Sequence, residues 1–127
     1  MRVACAVVIR GNRVLVQRRK RREGQTTEFP MGRVGEGESF ENAALRELRE
    51  ETGLDAALLG QKTEIMAANG VTVGFVAVCI AADAAPASQG DREQVFYWMT
   101  HKEIPVAAFP QIDRDFISGK LKDWLAG

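Results

Sequence analysis

The stretch from Ser39 to Thr52, SFENAALRELREET, sets the strongest constraint on how this chain can fold. It is predicted to be a helix. Ser39 can accept hydrogen bonds from the first turn, and Glu41 suits the positive end of the helix dipole. Gly53 can close the carboxyl end in a left-handed conformation. Ala44, Leu45 and Leu48 form an apolar stripe that must pack on another element. Beside that stripe, Glu47, Glu50 and Glu51 stand at i, i+3 and i+4 and therefore share one face. The helix needs a sheet on one side and leaves an acidic face on the other.

The flanking segments supply the sheet. Val3 to Ile9 is a β-branched, apolar run that reads as a buried strand, and Gly11-Asn12 suits a tight turn into a second strand, Val14 to Gln17. The basic stretch from Arg18 to Thr27 reads as a loop. Glu28-Phe29-Pro30 is a short extended piece, because proline biases its predecessor away from the helix. Met31 to Glu38, with three glycines, reads as an ordered loop. After the helix, Gln61 to Ala68 is a weak strand, Val71 to Ala82 a long one and Gln94 to Met99 a third, with Ala84 to Arg92 as a mobile loop. Ile112 to Leu125 closes the chain as a helix with Phe116, Ile117, Leu121 and Leu125 on one face. Strands, helix, strands, helix is the order of an α/β (α+β) domain, a mixed sheet with helices packed on it.

At 127 residues the chain fits one domain, residues 1–127, with a core that needs no disulfide. The apolar run Val3 to Ile9 is far shorter than the roughly 20 residues of a membrane span and lacks the pattern of a signal peptide. A cytoplasmic location is expected. Lysine plus arginine and aspartate plus glutamate each total 17, so formal net charge is zero. Neither nucleic acid nor an anionic membrane is attracted at long range by such a chain. An anionic ligand must be met by local chemistry. Cys5 and Cys79 lie in strand-like runs and read as buried free thiols.

Three carboxylates converging on one helix face repel each other unless a cation lies between them. Hard divalent cations such as magnesium select oxygen ligands of this kind. Glutamate-rich helix faces are more often plain solvated surface. The residues upstream decide between the two. The run is Gly32, five residues, Glu38, seven residues, Arg46-Glu47-Leu48, one residue, Glu50-Glu51, one residue, Gly53-Leu54. At average residue frequencies a chance match of these positions is on the order of 10⁻⁷.

The run resembles the signature of the Nudix hydrolases, and Glu28-Phe29-Pro30 before it and Trp98-Met99 after it are similar to the MutT branch. The family usually has Pro-Gly-Gly where this chain has Pro30-Met31-Gly32. The resemblance implies an α/β/α sandwich with helices on both faces of a mixed sheet. It implies hydrolysis of a nucleoside diphosphate linked to another group, with Mg2+ or Mn2+ as cofactor. For the MutT branch that means a nucleoside triphosphate, oxidised or non-standard ones such as 8-oxo-dGTP or a cytidine nucleotide included, giving monophosphate and pyrophosphate. ADP-ribose or a dinucleoside polyphosphate is the alternative substrate. A non-catalytic, nucleotide-binding Nudix domain is a third reading, disfavoured because every box glutamate is present.

By the same resemblance Glu50 and Glu51 are direct metal ligands, and Glu47 either binds metal or takes the proton from water. The carbonyl of Gly32 faces a metal. Glu38 and Arg46 form a structural pair, and the planar guanidinium can also orient Glu50. An extra ligand comes from Asp91 or Glu93, with Glu93 preferred, or these are solvated loop charges. Arg19 is similar to the family's phosphate-contacting arginine, while the rest of Arg18 to Arg22 reads as a solvated loop rather than a nucleic-acid patch. Phe109-Pro-Gln-Ile-Asp113 is similar to the segment that meets the base. Phe109 either stacks on the base or belongs to the core, and Asp113 either reads the base edge or caps the last helix. Asn69 is a weaker candidate of the same kind. His101, the lone histidine, reads as an ordinary surface residue.

Overall fold

The computed structural model describes residues 1–22 and 24–126. Seven strands and two helical segments follow one another as β1 (Arg2–Arg10), β2 (Arg13–Arg21), β3 (Gly24–Glu28), β4 (Met31–Arg33), α1 (Phe40–Thr52), β5 (Ala57–Met66), β6 (Thr72–Cys79), β7 (Gln94–Thr100) and α2 (Gln111–Phe116). From α2 the backbone stays helical through a wider π turn, Ile117–Leu121, to a last turn at Lys122–Trp124. No helix among the described residues is long and apolar enough to cross a membrane.

The sheet is mixed, with strand order β3-β2-β1-β6-β5. β1 runs parallel to β6, from Arg2↔Thr72 to Val8↔Val78. It meets β2 only at Ile9↔Val14 and Arg10↔Arg13, beside the positive-φ turn at Gly11. Nearer its start, β1 pairs instead with β4, at Val3↔Arg33 through Cys5↔Met31. The sheet thus divides into two wings, β3-β2-β7 and β4-β1-β6-β5, which diverge from the turn.

Alternation along β1 builds a core on each face. Ala4, Ala6 and Val8 pack with Leu15, Val76, Val78 and the α1 residues Phe40, Ala44 and Leu48. Cys5 and Val7 pack on the other face with Val14, Val16, Phe29, Phe75, Phe109, Phe116 and Leu121. Helices therefore cover both faces. Burying a side chain such as Leu48 stabilises the fold by roughly 1.5–3 kcal/mol. Phe40 lies directly on the backbone of β6 at Gly74, where an added Cβ would collide with its ring. On the opposite face Phe75 and Phe116 stack with centroids 4.1 Å apart, and Phe29 meets Phe109 at 5.2 Å.

α1 has the ends its sequence predicts. Ser39 Oγ accepts from the Asn42 N–H at 3.0 Å, and Gly53 is left-handed at φ 76° with its N–H on the Arg49 carbonyl. The loop expected over Arg18 to Thr27 is instead the β2–β3 hairpin, with Gln17↔Glu28 to Arg21↔Gly24 in register; Glu23 lies outside the described residues. Its polar sequence hides a strand because β7 pairs the other edge of β2 from Arg13 to Arg19. The expected loop at Met31 likewise begins as β4. β6 stops at Cys79, short of the predicted Ala82, and Cys79 is only half-buried, whereas Cys5 is fully buried. His101 is no ordinary surface residue: Nε2 lies 3.0 Å from the Ile117 carbonyl, joining the turn after β7 to the last helix.

Candidate active site

The signature lies where the two wings diverge, with Gln17 and Glu28 from one, Gly32 from the other, and α1 across them. Gly32 is required by contact. A Cβ there would collide with the Glu47 carboxylate, which lies against the β4 backbone.

Arg46 organises the outer part. Nε and Nη2 donate to the two oxygens of Glu38 at 2.8 and 2.9 Å, the two-pronged pairing that a planar guanidinium favours. Nη2 also donates to the Arg33 carbonyl at 2.9 Å, and Nη1 to Glu47 at 2.8 Å and Glu50 at 3.3 Å. Loop, β4 and helix are tied by one side chain. Those hydrogen bonds, with one from the Gly35 N–H, hold the Glu38 carboxyl down at about 2. The same partners raise Arg46 further above its ordinary range.

The inner part is buried, and Glu51 there takes no hydrogen bond from a cation among the described residues. Glu51 is buried, and its Oε1 accepts from Gln17 Nε2 at 3.1 Å. Burial pushes its carboxyl up to about 7, with Glu47 and Glu28 adding repulsion against the lowering influence of Gln17 and Arg19. Glu28, also buried, accepts from Gln17 at 3.2 Å and from Arg21 Nη2 at 2.9 and 3.0 Å.

Among the described residues no three acidic, thiol or imidazole side chains are gathered so as to hold an ion. Arg46 Nη1 sits between Glu47 and Glu50. The donor chemistry nevertheless fits magnesium: Glu47, Glu50 and Glu51 offer hard oxygens, and Glu51 is a desolvated acid without a cationic hydrogen-bond partner.

The distant candidates separate. Glu93 is exposed and pairs with Lys20 at 3.3 Å, not with the box glutamates. Arg19 and Asp91 line a cleft of about 610 Å³ with Lys20, Arg21, Arg92 and Glu93. Arg92 in turn donates to the Glu50 carbonyl at 3.0 Å, fastening that loop to the end of α1. Asn69 is exposed and spends its side-chain oxygen on the Val71 N–H at 3.1 Å, closing a local turn. Phe109 is a core residue, 3% exposed, and its edge borders a second cleft of about 560 Å³. Thr27, Glu28, Met31 and Asp113 share that lining. Asp113 is not a cap, since it lies inside α2 and the cap position, Pro110, makes no side-chain bond. Its Oδ2 is buried without a partner, and burial plus the nearby Glu28 push its carboxyl up to about 7.

Sequence reasoning passed over Gln17, Arg21, Glu28, Met31 and Gln94 as site residues. Gln17 had a signal: a polar residue two places after Leu15 in an inward-facing register. Met31, where the family usually has glycine, puts a side chain into the cleft beside Asp113.

The NUDIX domain profile matches residues 1–119. The fold is similar to a Caenorhabditis elegans Ap4A hydrolase, with TM-score 0.76 at 14% identity over 96% of both chains. It is similar to a MutT NUDIX hydrolase from Burkholderia pseudomallei, with TM-score 0.67 at 25% identity over 94% of this chain and 96% of that one. The Escherichia coli ORF135 protein aligns at TM-score 0.67 and 20% identity, over 92% of this chain and 85% of its own. With its profile running through the acidic helix and both wings, the chain belongs to the NUDIX domain family, that of the Nudix hydrolases.

Proposed function

We propose that this chain hydrolyses a phosphoanhydride bond of a nucleoside triphosphate, releasing monophosphate and pyrophosphate. The observation that supports it is the cleft between β3, β4 and the start of α2, where buried Asp113 offers an unpartnered oxygen next to Phe109 and Met31. A half-apolar pocket with one unmatched polar group suits a nucleobase, whose ring needs cover and whose edge needs a partner. Arg19 and Lys20 in the adjoining cleft carry the charge to hold phosphates.

Nudix hydrolases generally use divalent metals such as Mg2+. Here Glu50, Glu51 and the Gly32 carbonyl would hold it, and the cation would neutralise phosphate charge and acidify a bound water. Glu47, held by Arg46 against β4, would either ligate the cation or accept that water's proton. Arg46 and Glu38 keep the loop and helix in register for this work. A dinucleoside polyphosphate is the second reading, favoured by the likeness to the Ap4A hydrolase and by the basic residues extending the cleft.

A panel of triphosphates, dinucleoside polyphosphates and ADP-ribose, with Mg2+ and with excess chelator, tests the reading. Pyrophosphate release from a triphosphate that stops on chelation is the expected result. Turnover confined to dinucleoside polyphosphates selects the second reading, and full activity in chelator removes the metal from both.

A further inference from the structure

We propose that Gln17 is a positioning residue for the reaction, reserving one oxygen of Glu51 and so setting how that carboxylate meets a cation. The inference rests on the reading of Glu51 as a cation ligand. Gln17 occupies a position where β2 calls for an apolar side chain. Leu15, two residues earlier on the same face, is fully buried beneath α1, and Gln17 is fully buried as well. An amide in such a place is unfavourable unless its polar atoms find partners.

They do, and each partner comes from a different element. Nε2 donates to Glu51 Oε1 on α1 at 3.1 Å and to Glu28 Oε1 on β3 at 3.2 Å. Oε1 accepts from Gln94 Nε2 on β7 at 3.0 Å. The amide turns its nitrogen toward the two acids, whose oxygens accept, and its oxygen toward the Gln94 amide, which donates. Its orientation is determined by chemistry as well as by packing.

Glu28 has a cation of its own in Arg21, whereas among the described residues the hydrogen bond on Glu51 comes from a neutral amide. A lysine or arginine at position 17 would hold Glu51 but cancel its charge. An amide orients the carboxylate and leaves the charge available. No protein hydrogen bond falls on Glu51 Oε2 among the described residues, so Gln17 decides which oxygen is spent and which is offered. Partners of this kind, one bond behind a ligand, commonly govern affinity for the ion.

The test is Mn2+ binding to the purified protein, followed by electron paramagnetic resonance without nucleotide. Gln17→Met preserves length and removes both donors. Its affinity for Mn2+ should fall at least about 10-fold, the scale for such partners, with melting temperature in chelator little changed. Glu51→Gln, run alongside, should weaken binding at least as much. Normal Mn2+ binding in Gln17→Met with weakened binding in Glu51→Gln overturns the role of Gln17 alone. Normal binding in both overturns the reading of Glu51 and this inference with it. A drop in melting temperature with Mn2+ affinity intact marks a merely structural residue and also overturns it. If Gln17→Met does not fold, Gln17→Asn keeps the amide but withdraws it by one methylene. The same loss is expected there, and wild-type affinity refutes the proposal.

Discussion

At the amino end of the signature, Glu38 takes two hydrogen bonds from the Arg46 guanidinium and one from a backbone N–H. Toward its carboxyl end, Glu51 is buried and takes one from a neutral amide. The first carboxyl is held at about 2 and the second is pushed up to about 7. Where the fold needs a fixed joint, it pairs the acid with a cation, which satisfies charge and geometry together. At Glu51 it removes water and, among the described residues, supplies a neutral donor. The same residue type is thus clamped by a cation in one place and desolvated beside a neutral donor in the other.

Removing the ligand side should have the largest effect. Glu51→Gln and Glu47→Gln should each lower turnover by at least roughly 10²-fold, the scale of a lost base or metal ligand. Glu41→Gln is the matched control on the same helix, where the carboxylate only touches half-exposed Lys62 at 3.4 Å. Equal kinetics in Glu47→Gln and Glu41→Gln would refute the acidic face as the reaction site.

Loosening the clamp should matter less. Arg46→Lys keeps one positive charge but cannot span Glu38, Glu47 and the Arg33 carbonyl at once. Turnover should fall about 10-fold, as for residues that orient ligands, while circular dichroism shows the helix retained. Wild-type kinetics would show the fork geometry to be dispensable.

The smallest effects are on stability, and they should have opposite signs. The Glu38 carboxyl is lowered from 4.5 to about 2, so the folded state binds fewer protons than the unfolded state between those values. Its contribution is present above about pH 4.5 and is lost as pH falls toward 2. Asp113 is raised from 3.8 to about 7, so the folded state holds a proton that the unfolded state releases. Wild-type stability should therefore decline as pH rises through that window. Melting curves of Glu38→Gln and Asp113→Asn across pH check both. Glu38→Gln should be less stable than wild type at pH 7 and converge with it near pH 2. Asp113→Asn should gain on wild type between pH 4 and 8, and a constant difference would refute the burial of that carboxyl as the cause.

Much of the frame was legible in the chain order of residues. The caps of α1, its apolar stripe and the Gly11-Asn12 turn depend on near neighbours, so spacing alone exposes them. Helices on both faces, which the family resemblance implied, are present, one core lying on each face of β1. The β2–β3 hairpin escaped because its residues from Arg18 onward are polar. β2 is held as a strand there between β3, close in sequence, and β7, whose partner residues stand far along it.

The amino-acid sequence by itself determined the acidic face and the family resemblance, which in turn implied the Arg46–Glu38 pairing, because neighbouring positions on one helix and a distinctive spacing are local facts. Tertiary structure alone decided which acids lose water and which neutral groups hold them. Gln17 reaches Glu51 across 34 residues and Gln94 across 77, and neither bond leaves a trace in local periodicity. The same holds for Phe109, which stands in the core beneath Phe29, and for Asp113, whose second oxygen has no partner. Desolvation is a property of the whole packed surround, and a carboxylate acquires its proton affinity from what surrounds it.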